Sequence, residues 1–185
     1  LSFPPVQKPL SYVFYNRKEA ESGGSPEIEK QFNNTLVFIQ TGYNGGFAFG
    51  NNVAIKYAMA KWDFDSVILL NNDTVIEKDT IKNLVAQRQK LGEKAIYGGR
   101  IYYYSNAEKI WYDGGHFNEW LERSIHINQG KLKDEIKDNS KVKEINFITF
   151  CYVLIPKYII EKIGLLDESY FMYVEDLDYS YRVWK

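Results

Sequence analysis

Three segments of this chain carry side chains suited to chemistry. In Leu69-Leu70-Asn71-Asn72-Asp73-Thr74, two amides and a carboxylate follow the apolar run Val67-Ile68-Leu69-Leu70. That run predicts a short strand buried on both faces. Unpartnered polar groups are costly inside such a strand, so the polar turn belongs at its end. There an Asp can hold a hard divalent cation, and the cation a diphosphate. In Phe171-Met-Tyr-Val-Glu175-Asp176-Leu-Asp178, three carboxylates fall within four residues at a predicted helix start. Adjacent carboxylates raise one another's pKa, which suits a general base near neutral pH; equally, they place negative charge on the positive end of a helix. The third segment, Gly42-Tyr-Asn-Gly-Gly-Phe-Ala-Phe-Gly-Asn-Asn, is rich in glycine. Glycines there let the backbone approach a ligand, or simply make a tight turn. The spacing is neither that of a dinucleotide-binding turn nor that of a P-loop, since no Gly-Lys-Ser/Thr follows. His116 and His126 lack the spacing of a metal pair and read as structural or exposed side chains.

The elements that position these segments alternate in the first half. Pro-rich residues 1–9 predict an extended entry, Ser11 to Tyr15 a strand, and Asn16 to Pro26 a loop. A short helix is expected over Glu27 to Phe32 and a strand over Thr35 to Gln40. Asn51 or Asn52 reads as the N-cap of a helix running through Trp62. After the 66–70 strand, Asp79 caps a helix from Thr80 to Leu91 that Gly92 closes. Alternating strands and helices predict a mainly parallel sheet. The second half differs. Strands are expected over Ala95 to Tyr104, Lys109 to Asp113 and Glu144 to Ile155, with a polar, unassigned stretch from Phe117 to Asn139. Pro156 opens a short helix ended by Gly164, and Glu175 to Trp184 is helical.

At 185 residues the chain suits one domain able to bury a sizeable core. A net charge of −1 without a basic block offers nucleic acid no electrostatic footprint. The single cysteine, Cys151, excludes an internal disulfide and predicts a buried, inert thiol in a reducing compartment. No apolar run is long enough to span a membrane, and no secretory signal pattern is present. Together these predict a cytoplasmic protein. Aromatic residues make up 16%, with 15 Tyr, which predicts a tyrosine-rich core and sheet.

Asn44-x-Gly46-Phe47-Ala48-x-Gly50-Asn51-Asn52, then Leu70-Asn71-Asn72-Asp73-Thr74, then Gly164-x-x-Asp167-Glu168-x-x-Phe171-x-x-x-Glu175-Asp176-x-Asp178, together resemble family 2 glycosyltransferases. Within them the order is most similar to the rhamnosyltransferase-like branch, from residue 35 to the end of the chain. The resemblance implies an α/β GT-A fold: a mainly parallel, nucleotide-sugar-binding sheet flanked by helices, followed by a mixed acceptor-side region. It implies inverting transfer of a sugar from a nucleoside diphosphate sugar, such as dTDP-rhamnose or a UDP-sugar, to a glycan or lipid-linked glycan. Asp73 matches the last carboxylate of the family's Asp-x-Asp motif and would bind Mg²⁺ or Mn²⁺; Asn71 stands where many relatives have the first Asp. Asp176 matches the catalytic base, with Glu175 beside it. Gly46, Phe47 and Asn51, with Asn71 and Asn72, would lie on the donor side. A lipid-linked acceptor would bring the protein to the inner face of a membrane.

The start of the chain departs from this pattern. The family's apolar opening strand has no counterpart, and Tyr15 stands where an Asp that helps hold the nucleotide base is expected. Residues 1–185 therefore read as one N-terminally truncated domain, with 1–92 the donor and metal half and 93–185 the acceptor-side half carrying the base. Two other readings share the fold's chemistry. One is a non-catalytic nucleotide- or glycan-binding relative; the other is a nucleotidyltransferase, whose basic glycine-rich signature near the first strand is missing here.

Overall fold

A computed structural model of the chain describes residues 9–31, 36–137 and 142–185. The entry segment before Pro9, Phe32 and Thr35 at two expected element ends, and the close of the 117–139 stretch lie outside these residues. The chain forms two compact units, Leu1–Asp65 with Leu165–Glu175, and Ser66–Gly164 with Asp176–Lys185.

In the first unit, β1 (Tyr12–Asn16) is followed by α1 (Arg17–Glu21), α2 (Pro26–Glu29), β2 (Leu36–Gln40) and α3 (Gly46–Lys61). β1 and β2 pair in parallel, from Tyr12 opposite Leu36 to Asn16 opposite Gln40. Alternation along β1 turns Val13 and Tyr15 inward, where they meet Ala20 of α1 and Tyr57 of α3, with Val37 and Ile39 of β2 against them. The expected loop after Asn16 in fact holds α1. Asn16 Oδ1 accepts the Glu19 N–H at 3.0 Å, and Glu19 Oε2 accepts the Asn16 N–H at 2.9 Å. This reciprocal cap satisfies two otherwise orphaned donors, and its Asn-x-x-Glu signature is legible in the chain. α3 begins at Gly46, well before the Asn51 or Asn52 start read from its sequence.

The second unit contains β3 (Ser66–Leu70), α4 (Thr80–Leu91), β4 (Tyr97–Gly98), β5 (Ile101–Tyr103), β6 (Asn106–Tyr112), β7 (Gly115–Asn118), β8 (Arg123–His126), β9 (Tyr152–Pro156), α5 (Lys157–Ile163) and α6 (Glu175–Trp184), whose first residue falls in the first unit. Gly164 closes α5 and Gly92 closes α4, both at left-handed φ, as the sequence predicts. Of the long expected 144–155 strand, the last residues form β9, and Phe147 makes an isolated bridge to Gly115.

The alternation of the first half predicts a mainly parallel sheet, and the pairing corrects this. Among the described residues β1 and β2 are the parallel pair, while β9 runs antiparallel between β3 and β4. β5–β6 and β7–β8 are antiparallel as well. The reason is the entry of β9 from far along the chain: local alternation cannot report a partner supplied so late. β9 is buried at all five positions. β3, at the end of its three-stranded sheet, buries Leu69 but leaves Leu70 41% exposed, so it is not covered on both faces. The core here is Leu84, Tyr97, Tyr152 and Leu154, with Ile68 and Ile101 against it. Tyr15 and Tyr57 of the first unit and Tyr97, Tyr112, Tyr152 and Tyr179 of the second are buried, while other aromatics, Tyr43 and Trp120 among them, are exposed.

Candidate active site

The turn after β3 is built by its own backbone. The Thr74 N–H and hydroxyl both donate to the Asn71 carbonyl, at 3.2 and 2.6 Å. The Asn71 N–H donates across to the Cys151 carbonyl at 3.0 Å, just before β9. This leaves Asn71 half-buried and presents Asn72 and Asp73 to solvent. Burial, and then the nearby Asp73 charge, push the Cys151 thiol above its ordinary pKa. It therefore stays a neutral thiol at physiological pH.

One residue earlier, the same segment meets α6. The Phe150 N–H donates to Asp176 Oδ2 at 3.4 Å, and the Leu177 N–H donates to Oδ1 at 2.8 Å. The Ser180 hydroxyl accepts the Ile148 N–H at 3.1 Å and donates to the Asp176 carbonyl at 2.7 Å, seating this segment on the first turn of α6. Burial pushes the Asp176 carboxyl above the ordinary Asp value; the two N–H donors and His126 pull it back only in part. The cause is thus desolvation, where the sequence suggested the neighbouring Glu175 charge. Glu175 itself is buried, 6% exposed. Asp178 pairs with Arg182 at 2.8 Å, one turn on, and Arg182 also donates to the Ile163 carbonyl. Asp178 therefore orients Arg182, which ties α6 to the end of α5.

Two features near this site are invisible in the spacing of the chain. The His126 ring packs edge-on to Tyr112 and Trp111, at centroid distances of 5.1 and 5.6 Å. Asp113 is held by Arg100 at 2.8 Å and by Lys143 and Asn128 at 2.7 Å each. Burial would raise the Asp113 carboxyl, but these donors outweigh it and hold the group below its ordinary value. In each case the partners come from separate segments, and only the fold brings them together.

The donor-side residues of the glycine-rich segment lie in the first unit. Gly46 adopts φ +87°, and a Cβ there would collide with the Phe171 carbonyl, so only glycine fits. The adjacent Phe47 N–H donates to that same carbonyl at 3.0 Å. Asn51 turns its amide back to the Phe47 carbonyl within α3 at 2.9 Å. Asn52, expected at a helix start, is buried mid-helix, where it bonds the Leu166 backbone twice and Glu168 once. Gly46, Phe47 and Asn52 therefore seat the 165–171 segment on α3. Asn71, Asn72, Asp73 and Asp176 lie together in the second unit.

The donor set at the β3 turn suits a hard cation: a solvent-facing Asp carboxylate with the amide oxygens of Asn71 and Asn72 available beside it. Among the described residues no group of three or more His, Cys, Asp or Glu stands together as a ready-made cage. A cation here would draw its remaining ligands from water and substrate phosphates, as Mg²⁺ commonly does.

Comparison with known proteins shows the family. The model of Glycosyl transferase family 2 matches residues 21–164, most of the chain. A relative from Haloferax volcanii, the low-salt glycan biosynthesis hexosyltransferase Agl10, is 32% identical over 148 residues, covering 80% of this chain and 46% of its own length. The chain belongs to glycosyltransferase family 2, a family that implies the α/β GT-A fold, and its elements are a mixture of helices and strands. It spans about half the length of the relative it matches.

Proposed function

We propose that this chain carries the catalytic centre of an inverting, metal-dependent glycosyltransferase. Asp176 is the general base. It takes the proton from an acceptor hydroxyl as that oxygen bonds to the anomeric carbon, while the bond from that carbon to the diphosphate oxygen breaks on the opposite face. A carboxyl raised by burial is a stronger base than an exposed one, and a positioned base contributes about 10²–10⁴-fold. Glu175 stands beside it. Asp73, with Asn71 and Asn72, would hold Mg²⁺ or Mn²⁺, whose positive charge, when bound, neutralises the departing nucleoside diphosphate. Gly46, Phe47 and Asn51 shape the donor side. On this reading 1–185 is one catalytic domain, with the donor and metal half over 1–92 and the acceptor half over 93–185.

One observation carries the proposal: successive residues, Phe150 and Cys151, bind the Asp176 carboxylate and the turn of Asp73. A base and a charge-stabilising group must be held in fixed relation for an in-line displacement, and this segment supplies such a relation.

The donor is a nucleoside diphosphate sugar, and the acceptor a glycan or lipid-linked glycan. The hexosyltransferase relative supports a hexosyl donor such as a UDP-hexose or UDP-galactofuranose, whereas the Asn71 substitution is the pattern of the rhamnosyl type. No helix among the described residues is long and apolar enough to cross a membrane. A lipid-linked acceptor would bring the domain to a membrane surface. Calorimetric titration with UDP, dTDP and GDP, each with Mn²⁺ and with EDTA, tests the reading. Metal-dependent binding of one nucleotide supports it and names the donor class; binding of none overturns it.

A further inference from the structure

The residue standing where the family pattern places a nucleotide-binding Asp is not available for that work. Tyr15 is 4% exposed, and its hydroxyl donates to Glu29 Oε1 at 2.7 Å while accepting the Ser25 N–H at 2.8 Å. Glu29 also accepts from Tyr57 and pairs with Lys61, in a buried network that fills the base of the first unit's core. If a nucleotide binds this unit, another side chain must meet its base.

Ligands of open α/β folds bind beyond the carboxyl ends of the parallel strands. Beyond β2 stands Tyr43, 61% exposed, its ring stacked on Phe49 at a centroid distance of 4.6 Å and an angle of 27°. Phe49 is buried, and a Cβ on Gly45 would strike its ring, so the turn closes tightly over the stack. The Thr41 hydroxyl donates to the Tyr43 carbonyl at 2.8 Å and fixes the backbone. Beyond β1 stands Arg17, its guanidinium 4.9 Å from the centroid of the same Phe49 ring and paired with Glu21 of α1 at 3.0 Å. The carboxyl ends of two adjacent parallel strands therefore present one flat, exposed, rigidly backed aromatic face with a cation beside it. A face of this kind suits a heterocyclic base attached to an anionic diphosphate: every base offers a π-face for stacking, and the guanidinium answers the negative charge.

We infer that Tyr43, backed by Phe49 and flanked by Arg17, is the platform on which the nucleobase of the donor stacks. This rests on the proposed glycosyltransferase reading and assigns its nucleotide recognition to residues other than Tyr15. Because stacking tolerates any base, selectivity among nucleotides would be modest at this contact.

The test compares wild type, Tyr43→Phe and Tyr43→Leu by calorimetric titration with UDP, dTDP, GDP and inorganic pyrophosphate in Mn²⁺, with thermal melts as the folding control. Leucine still covers Phe49 but lacks a flat ring. The expected result is a roughly ten- to hundredfold weaker nucleotide Kd for Tyr43→Leu, an unchanged pyrophosphate Kd, and near wild-type behaviour for Tyr43→Phe. Nucleotide binding by folded Tyr43→Leu at wild-type strength overturns the platform and leaves the glycosyltransferase reading standing. An equal loss for pyrophosphate also overturns it, since the contact would then not be to the base. Failure of the wild type to bind any nucleotide overturns both.

Discussion

The backbone N–H of Phe150 lies 3.4 Å from Oδ2 of Asp176, and the carbonyl of the very next residue accepts the N–H of Asn71. Two candidate site segments distant in sequence, the β3 turn and the start of α6, are thereby gripped by one short piece of chain leading into β9. That strand is buried throughout and hydrogen-bonded on both sides, so the grip is anchored in the core of its unit.

Replacing Asp176 with Asn should lower kcat by about 10²–10⁴-fold while leaving donor Kd unchanged, because the amide keeps the side chain's shape and its single oxygen can still accept the shorter bond from Leu177, but it takes no proton. Stability provides the control. The raised carboxyl favours its protonated form in the fold, a contribution present below the unfolded pKa and lost as pH rises through the folded one. Asp176→Asn should therefore melt no lower than wild type at pH 7. A large drop in Tm would instead make Asp176 a structural cap.

The same shift sets a pH dependence. Activity requires the ionised carboxylate, so kcat/KM should fall as pH drops, with its acid limb above the ordinary Asp value of 3.8. A pH–rate profile reads this directly. An acid limb below the ordinary value would show that desolvation does not govern the base.

Asp73 faces solvent at the end of β3 and takes no part in the bonds that close its turn. Asp73→Ala should keep the wild-type melting temperature yet weaken nucleotide binding at least tenfold in Mn²⁺, with no change in EDTA. Equal affinities for the two proteins in Mn²⁺ would remove Asp73 from metal binding.

Asp113 is held below its ordinary pKa by Arg100, Lys143 and Asn128. A depressed carboxyl contributes stability that is present above its unfolded pKa and lost as pH falls through the folded value. Asp113→Asn should destabilise the protein by about 2–3 kcal/mol at pH 7. The gap between mutant and wild type should close below about pH 4, where the wild type loses the same contribution. Denaturant melts across pH 3–8 would show it; a constant gap would mean that the Asp113 charge is not what matters.

What the chain alone determined is local. The start of α6 at Glu175, the span of α4 with Gly92 behind it, and the polar turn after β3 are legible, because a glycine or a break in apolar periodicity acts within a turn or two, although Asp79 makes no side-chain cap bond to α4. The α1 cap at Asn16 is equally local, an Asn-x-x-Glu box in place of the expected loop. Tertiary structure decided the rest. Asn52 looked like a helix start because Asn favours that position, yet a backbone more than a hundred residues away claimed its amide at 2.9 Å and drew it into the core. α3 starts at Gly46 because Phe171 crosses there, and β3 has an antiparallel neighbour because β9 arrives late. The basicity of Asp176 belongs here too: the adjacent Glu175 is visible in sequence, but burial, which sets the shift, exists only once Phe150 and α6 have met.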